Sequence, residues 1–274
     1  TLWSKRHVLY PGWQRGLGTT VLWTNCFRRV QHHCICCHLA NTHESQEIIM
    51  IVGIDFDNTL VNYDNLFYNE AIKRQLLPPE TNSDKQAVRD ALRALGRDED
   101  FTLIQGHVYG PGILEAQPYP GAKETVAALL QAGYEVYVVS HKTRFPYRGP
   151  QHDLHLAALS WLEAWQFFAP GMLSPDKVFL ESTLQSKLQR IDELGCAYFI
   201  DDLPELLCHP DFPQSAKRIL FDPHEKNAHA AAPVLADAFS KWSSIKMHLL
   251  EPAHSKADMD CAETQSVPLD STQQ

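Results

Sequence analysis

No stretch of this chain approaches the roughly 20 consecutive apolar residues that a membrane-spanning helix requires. Residues 1–30 hold neither the compact apolar segment nor the small-residue cleavage site of a secretory leader. The cytoplasm is therefore the expected compartment, and no membrane partner is expected. Positive charge is scarce as well: 24 Lys and Arg stand against 33 Asp and Glu, a formal net charge of −9. The first 48 residues hold five Lys/Arg and two Glu, so the remainder is more acidic than the whole. Such a surface suits small-molecule chemistry better than general nucleic-acid binding, which depends on cationic contacts to phosphates. The seven cysteines, four of them before residue 40, form no even, regularly spaced framework and read as reduced thiols.

What is present is enough for a full core. A length of 274 residues, 44% hydrophobic, suggests one domain with an insertion or two small ones. Residues 1–47 scatter Trp3, Trp13 and Trp23 among Arg, Gly and His with no sustained period. Met50 stands at the start of the first long apolar run, where an initiator would stand, and residues 1–47 are predicted to be a disordered extension. The run His32-His33-Cys34-Ile35-Cys36-Cys37-His38 is dense in soft ligands. Structural zinc, however, needs separated ligand pairs around which the chain can wrap. Residues 251–274 are polar and apolar-poor, and a disordered tail is predicted there.

From Ile48 the pattern becomes regular. The run Ile48-Ile49-Met50-Ile51-Val52-Gly53-Ile54 has the character of a strand buried on both faces of a parallel sheet. Similar runs recur at Tyr134–Val139, Val178–Leu180, Ala197–Ile200 and Arg218–Phe221. Helical patterns separate them: Ala122–Ala132 before Gly133, Leu154–Phe168 after a cap at Asp153, and Ser182–Leu194 before Gly195. Alternation of this kind predicts an α/β class, a Rossmann-like parallel sheet flanked by helices, over residues 48–250. Residues 61–117 interrupt it with helical stretches only, Asn69–Leu76 and Asp84–Leu95, and are predicted to be an inserted helical cap. The alternative is a merely stabilising helical pair. Trp161 and Trp165 share a helical face and are predicted core residues.

Ligands of open parallel sheets collect beyond the carboxyl ends of the strands. After the first run comes Asp55-Phe56-Asp57-Asn58-Thr59-Leu60; after the second, Ser140-His141-Lys142-Thr143; after the fourth, Asp201-Asp202, with Lys187 on the helix before it. In order and type these four motifs resemble those of the haloacid-dehalogenase-like (HAD-like) hydrolases, over roughly residues 48–225.

The resemblance implies a phosphatase. Asp55 would attack phosphorus, Asp57 would be general acid and base, and Ser140 and Lys187 would hold the phosphate oxygens. Lys142 and Lys177 compete with Lys187 for its role. Asp55, Asp57, Asp201 and Asp202 would hold Mg²⁺, with Glu205 as an outer acid. Thr59, Lys142, Arg144 and Arg148 are candidate substrate contacts, the two arginines suiting a second phosphate or a carboxylate. Solvated surface arginines are the alternative. Tyr63, Asp64 and His107 are candidate lid contacts. Dehalogenases of the family do not need the second acid, so Asp57 favours phosphate chemistry on a small phosphorylated metabolite. A phosphotransferase or mutase, or a binding protein that keeps the fold, are the alternatives.

Overall fold

The computed structural model describes residues 49–227 and 237–251. The expectations for residues 1–47, with their His32–His38 cluster, and for the tail beyond Glu251 lie outside the described residues. The chain divides into two units, Thr1–Gln46 and Glu47–Gln274, and everything below belongs to the second.

In chain order the elements are β1 (Ile51–Ile54), β2 (Val61–Asn62), α1 (Leu66–Lys73), α2 (Lys85–Ala94), α3 (Asp98–Val108), β3 (Gln117–Pro118), α4 (Ala122–Gln131) and β4 (Glu135–His141). There follow α5 (Leu154–Ala164), β5 (Val178–Glu181), α6 (Leu184–Glu193), β6 (Tyr198–Asp201), α7 (Pro204–Leu207), β7 (Lys217–Phe221), β8 (Asp237–Phe239) and α8 (Trp242–Leu250). Six strands form one parallel sheet in the order β5-β4-β1-β6-β7-β8, an α/β Rossmann-like fold. No helix among the described residues is long and apolar enough to cross a membrane.

The strands β1, β4, β5, β6 and β7 feed two cores, because successive side chains point to opposite faces. Val52 and Ile54 of β1, Val136 and Val138 of β4, and Ile200 of β6 pack into the larger cluster, with Leu129 of α4, Trp161 of α5 and Trp242 of α8. Val139 and Phe199 face the smaller one, with Leu188 and Ile191 of α6 and Leu207 of α7. Gly53 points the same way: a Cβ there would lie 2.5 Å from the Phe199 ring, so only hydrogen fits.

The segment from β2 to β3 leaves and returns through a two-stranded antiparallel stem, Val61 opposite Pro118 and Asn62 opposite Gln117. Between them lie three helices where the sequence suggested two. Gly96, at φ 68°, ends the turn after α2, and α3 begins at once with Asp98, Glu99 and Asp100 in its first turn, where the helix dipole favours them. The cap of α2 is Asp84, whose carboxylate accepts from the amides of Gln86 and Ala87. Asp153 caps α5 as expected. That helix stops at Ala164 because Gln166 turns left-handed, at φ 61°, and sends Phe167 back into the core. Trp161 is fully buried, and both Trp161 and Trp165 donate to the Ala116 carbonyl.

Candidate active site

The chain runs from β1 to β4 and β5 on one side of the sheet and returns to β6, β7 and β8 on the other, so β1 is the switch point where a crevice opens. Ile54 is in register with Val138 of β4 and Ile200 of β6, and the Asp55 amide donates to the Ile200 carbonyl at 2.9 Å. Asp55 and Asp201 therefore leave adjacent strands at the same level. After Asp55 the chain turns sharply. Asn58 takes a left-handed φ of 57°, and the amides of Leu60 and Val61 both donate to the Phe56 carbonyl at 3.1 Å. From the far end of the chain, the Trp242 indole donates to the Thr59 carbonyl at 3.1 Å and closes the turn from beneath.

Lys187 of α6 lies between the two acids, its ammonium 2.6 Å from both Asp55 Oδ1 and Asp201 Oδ2. All three are buried. Burial works against the charge on Lys187, but Asp201 and Asp55 outweigh it and raise its pKa. Burial pushes Asp55 up to about 7; Lys187 pulls it down, and Asp201 and Asp57 push it further up. Asp202 is also raised, by burial and by Asp201 and Asp55. Carboxylate oxygens of Asp55, Asp201 and Asp202 lie within 4.8 Å of one another. Three close carboxylates with a single lysine between them, all offering oxygen, are a donor set of the kind a hard divalent cation takes.

Asp57 faces a different set of partners. The Tyr63 hydroxyl donates to it at 2.5 Å, and Lys142 reaches both of its oxygens at 2.8 Å. Tyr63 is buried, and burial together with Asp57 raises its pKa well above the usual value, which keeps it a donor. Lys142 is buried too, packed over the rings of Tyr109 and Phe56, with its own carbonyl 2.7 Å from His155 Nε2.

The remaining candidates divide. Ser140 is buried inside β4 rather than after it, opposite Leu180. The Thr59 hydroxyl is buried and points toward Asp202 at 3.5 Å. Arg144 and Arg148 are drawn elsewhere: Arg144 pairs with Asp153 at 3.0 Å and Arg148 with Glu99 of α3 at 2.6 Å, both at the surface. Lys177 pairs with Glu135, away from the acids, and His107 lies 3.5 Å from Glu70.

A cleft of about 780 Å³ opens beside Asp202 and is lined by Asp64 and Glu205 on one side and by α2 and α3 on the other. A smaller one, about 190 Å³, reaches Asp57 and Lys142 past Tyr109. Sequence reasoning passed over Lys85 and Arg89 of α2, which line the larger cleft one helical turn apart. Their i, i+4 spacing behind the Asp84 cap was the available signal.

No protein-family model matches the chain, and no curated protein matches it by sequence. Several solved structures are similar. One described as a dehalogenase is 15% identical, covering 75% of this chain and 99% of its own, with a TM-score of 0.48. A HAD family hydrolase from Deinococcus radiodurans R1 with bound phosphate and sodium is 16% identical over 73% of this chain and 95% of its own, with a TM-score of 0.49. A haloacid-dehalogenase-like family hydrolase from Xanthomonas campestris is 16% identical over 73% and 94%, with a TM-score of 0.44. With identities this low and TM-scores below 0.5, the chemistry of this chain rests on its own residues.

Proposed function

We infer that this chain is a HAD-like phosphohydrolase, hydrolysing a small phosphomonoester through a phosphorylated Asp55 with Mg²⁺ at the Asp55, Asp201 and Asp202 oxygens. The observation that carries the inference is the buried Asp55–Lys187–Asp201 bridge at the switch point, with a second acid, Asp57, held separately two residues on. A carboxylate attacking a phosphate dianion needs like charges neutralised. Lys187 supplies part of that charge, and a bound divalent cation would supply the rest while orienting the phosphate.

In the first displacement an Asp55 oxygen bonds to phosphorus, the bond to the ester oxygen breaks, and Asp57 gives that oxygen a proton. In the second, water attacks phosphorus, Asp57 takes its proton, and Asp55 is released with inorganic phosphate. Tyr63 and Lys142 hold Asp57 in position for both steps. The helices between β2 and β3 form the lid, covering the acids and excluding water during transfer.

The test is phosphate release from a panel of phosphomonoesters, with Mg²⁺ or with EDTA, in wild type and Asp55→Asn. Metal-dependent release that falls by roughly a thousandfold or more in the variant is expected. Turnover that survives the substitution would dismiss Asp55 as nucleophile. Consumption of the ester with the phosphoryl group recovered on an added alcohol, faster than inorganic phosphate is released, would make the protein a phosphotransferase instead.

A further inference from the structure

We propose that the α2 wall of the large cleft reads a second anionic group on the substrate through Lys85 and Arg89, so that the phosphomonoester taken here carries a carboxylate or a second phosphate. This rests on the phosphohydrolase reading and narrows it to a substrate class.

The charges that line the cleft mostly cancel in pairs. Arg93 is held by Asp98 at 3.0 Å, Lys226 by Asp84, and His224 lies 3.2 Å from Asp64. Asp222 accepts from the amides of Lys226 and Asn227. Asp202 belongs to the carboxylate cluster. What remains is Glu205 on the sheet side and two cations, Lys85 and Arg89, on the helix side. Among the described residues neither cation has a carboxylate within ion-pairing distance. Lys85 donates at 2.8 Å to the hydroxyl of Tyr109, a neutral partner rather than a counter-ion.

The two cations are ordered with respect to the chemistry. The Lys85 ammonium is close enough to the acids to sense them: burial opposes its charge, while the Tyr109 oxygen, Asp57 and Asp202 favour it. Arg89 follows about one turn along the same helix face, about 6 Å of rise away. A cation near the reacting phosphate and a guanidinium one turn further suit a short molecule with anionic groups at two ends. Arginine binds carboxylate and phosphate alike, through two parallel hydrogen bonds. Phe101, Tyr119 and Phe221 line the same cleft and offer only weak polar contacts to the intervening carbon skeleton. Arg144 and Arg148, the arginines that sequence suggested for this role, are already paired elsewhere.

The experiment compares kcat/KM of the Mg²⁺-loaded protein on two matched pairs: 3-phosphoglycerate against glycerol 3-phosphate, which differ by a carboxylate, and fructose 1,6-bisphosphate against fructose 6-phosphate, which differ by a phosphate. Wild type should prefer the doubly anionic member of at least one pair by about tenfold or more, as hydrogen bonds to charged groups allow. The pair that shows the preference identifies the second anion. That preference should collapse toward unity in Arg89→Ala and in Lys85→Gln and return in part in Arg89→Lys. In Arg93→Ala, whose guanidinium already serves Asp98, it should persist. Arg89 is exposed, so its variants should not disturb folding. Equal kcat/KM within both pairs, or a preference that survives Arg89→Ala and Lys85→Gln, overturns the inference and leaves the phosphohydrolase reading standing. Absence of Asp55-dependent release from all four compounds overturns both.

Discussion

The two acids of the Asp55-Phe56-Asp57 motif end up in different electrostatic company. Asp55 shares a buried ammonium with Asp201, whereas Asp57 is gripped by a phenol and a second lysine. If Asp57 protonates the leaving group, its grip should matter most when that group is a poor one. Tyr63→Phe should therefore lower kcat on an alkyl phosphate about tenfold more than on p-nitrophenyl phosphate, whose leaving oxygen needs little help. An unchanged ratio between the two would reduce Tyr63 to a packing residue. A second residue-scale expectation concerns thiols. Burial pushes Cys196 up to about 12, against the pull of backbone amides, while Cys208 is exposed. Iodoacetamide at pH 8 should label Cys208 and spare Cys196 in the native protein, as read by site-resolved mass spectrometry, and label both in urea. Early labelling of Cys196 would mean that the β1–β6 packing opens readily.

At the scale of elements, Gly53 is where two neighbouring strands and the site meet. Gly53→Ala would place a methyl carbon 2.5 Å and 2.9 Å from Phe199 ring carbons and 3.0 Å from Cys196 Sγ, and the same ring lies under the Lys187 ammonium. Overpacking of this kind costs about 1–3 kcal/mol. Urea denaturation should show that loss, and a neutral result would mean that Phe199 can move aside freely. Five of the six main strands were legible because each is an apolar run ending in polar residues. β8 was not, since Asp237-Ala238-Phe239 is only half buried and is a strand by virtue of pairing with β7. α8 left a usable trace, Trp242, Ile245 and Leu249 on one face, which went unread. The acids at the strand ends were legible for the same reason as the strands. Which α2 side chains face the cleft, and that Arg148 is bound to Glu99, depend on how distant elements pack, and local pattern carries no such information.

Taken as one molecule, the protein holds two carboxyls, Asp55 and Asp202, whose protons are bound more tightly folded than unfolded. A carboxyl raised from about 3.8 to about 7, as Asp55 is by burial, binds more protons in the native state across that interval. In EDTA its contribution to stability is therefore full below about pH 4 and lost as pH rises toward 7. Asp202 acts in the same direction. A cation at these oxygens competes with the protons, so the gain in melting temperature from Mg²⁺ over EDTA should grow between pH 5 and pH 8. A gain that is flat or shrinking with pH would argue against metal binding at Asp55 and Asp202. The indole of Trp242 carries a consequence of another kind. It supports the Thr59 carbonyl from 183 residues downstream. On a ribosome the Asp55 turn emerges long before its brace, so a nascent chain can complete the strands β1 to β8 while that turn still lacks the indole, until α8 has been synthesised and docked.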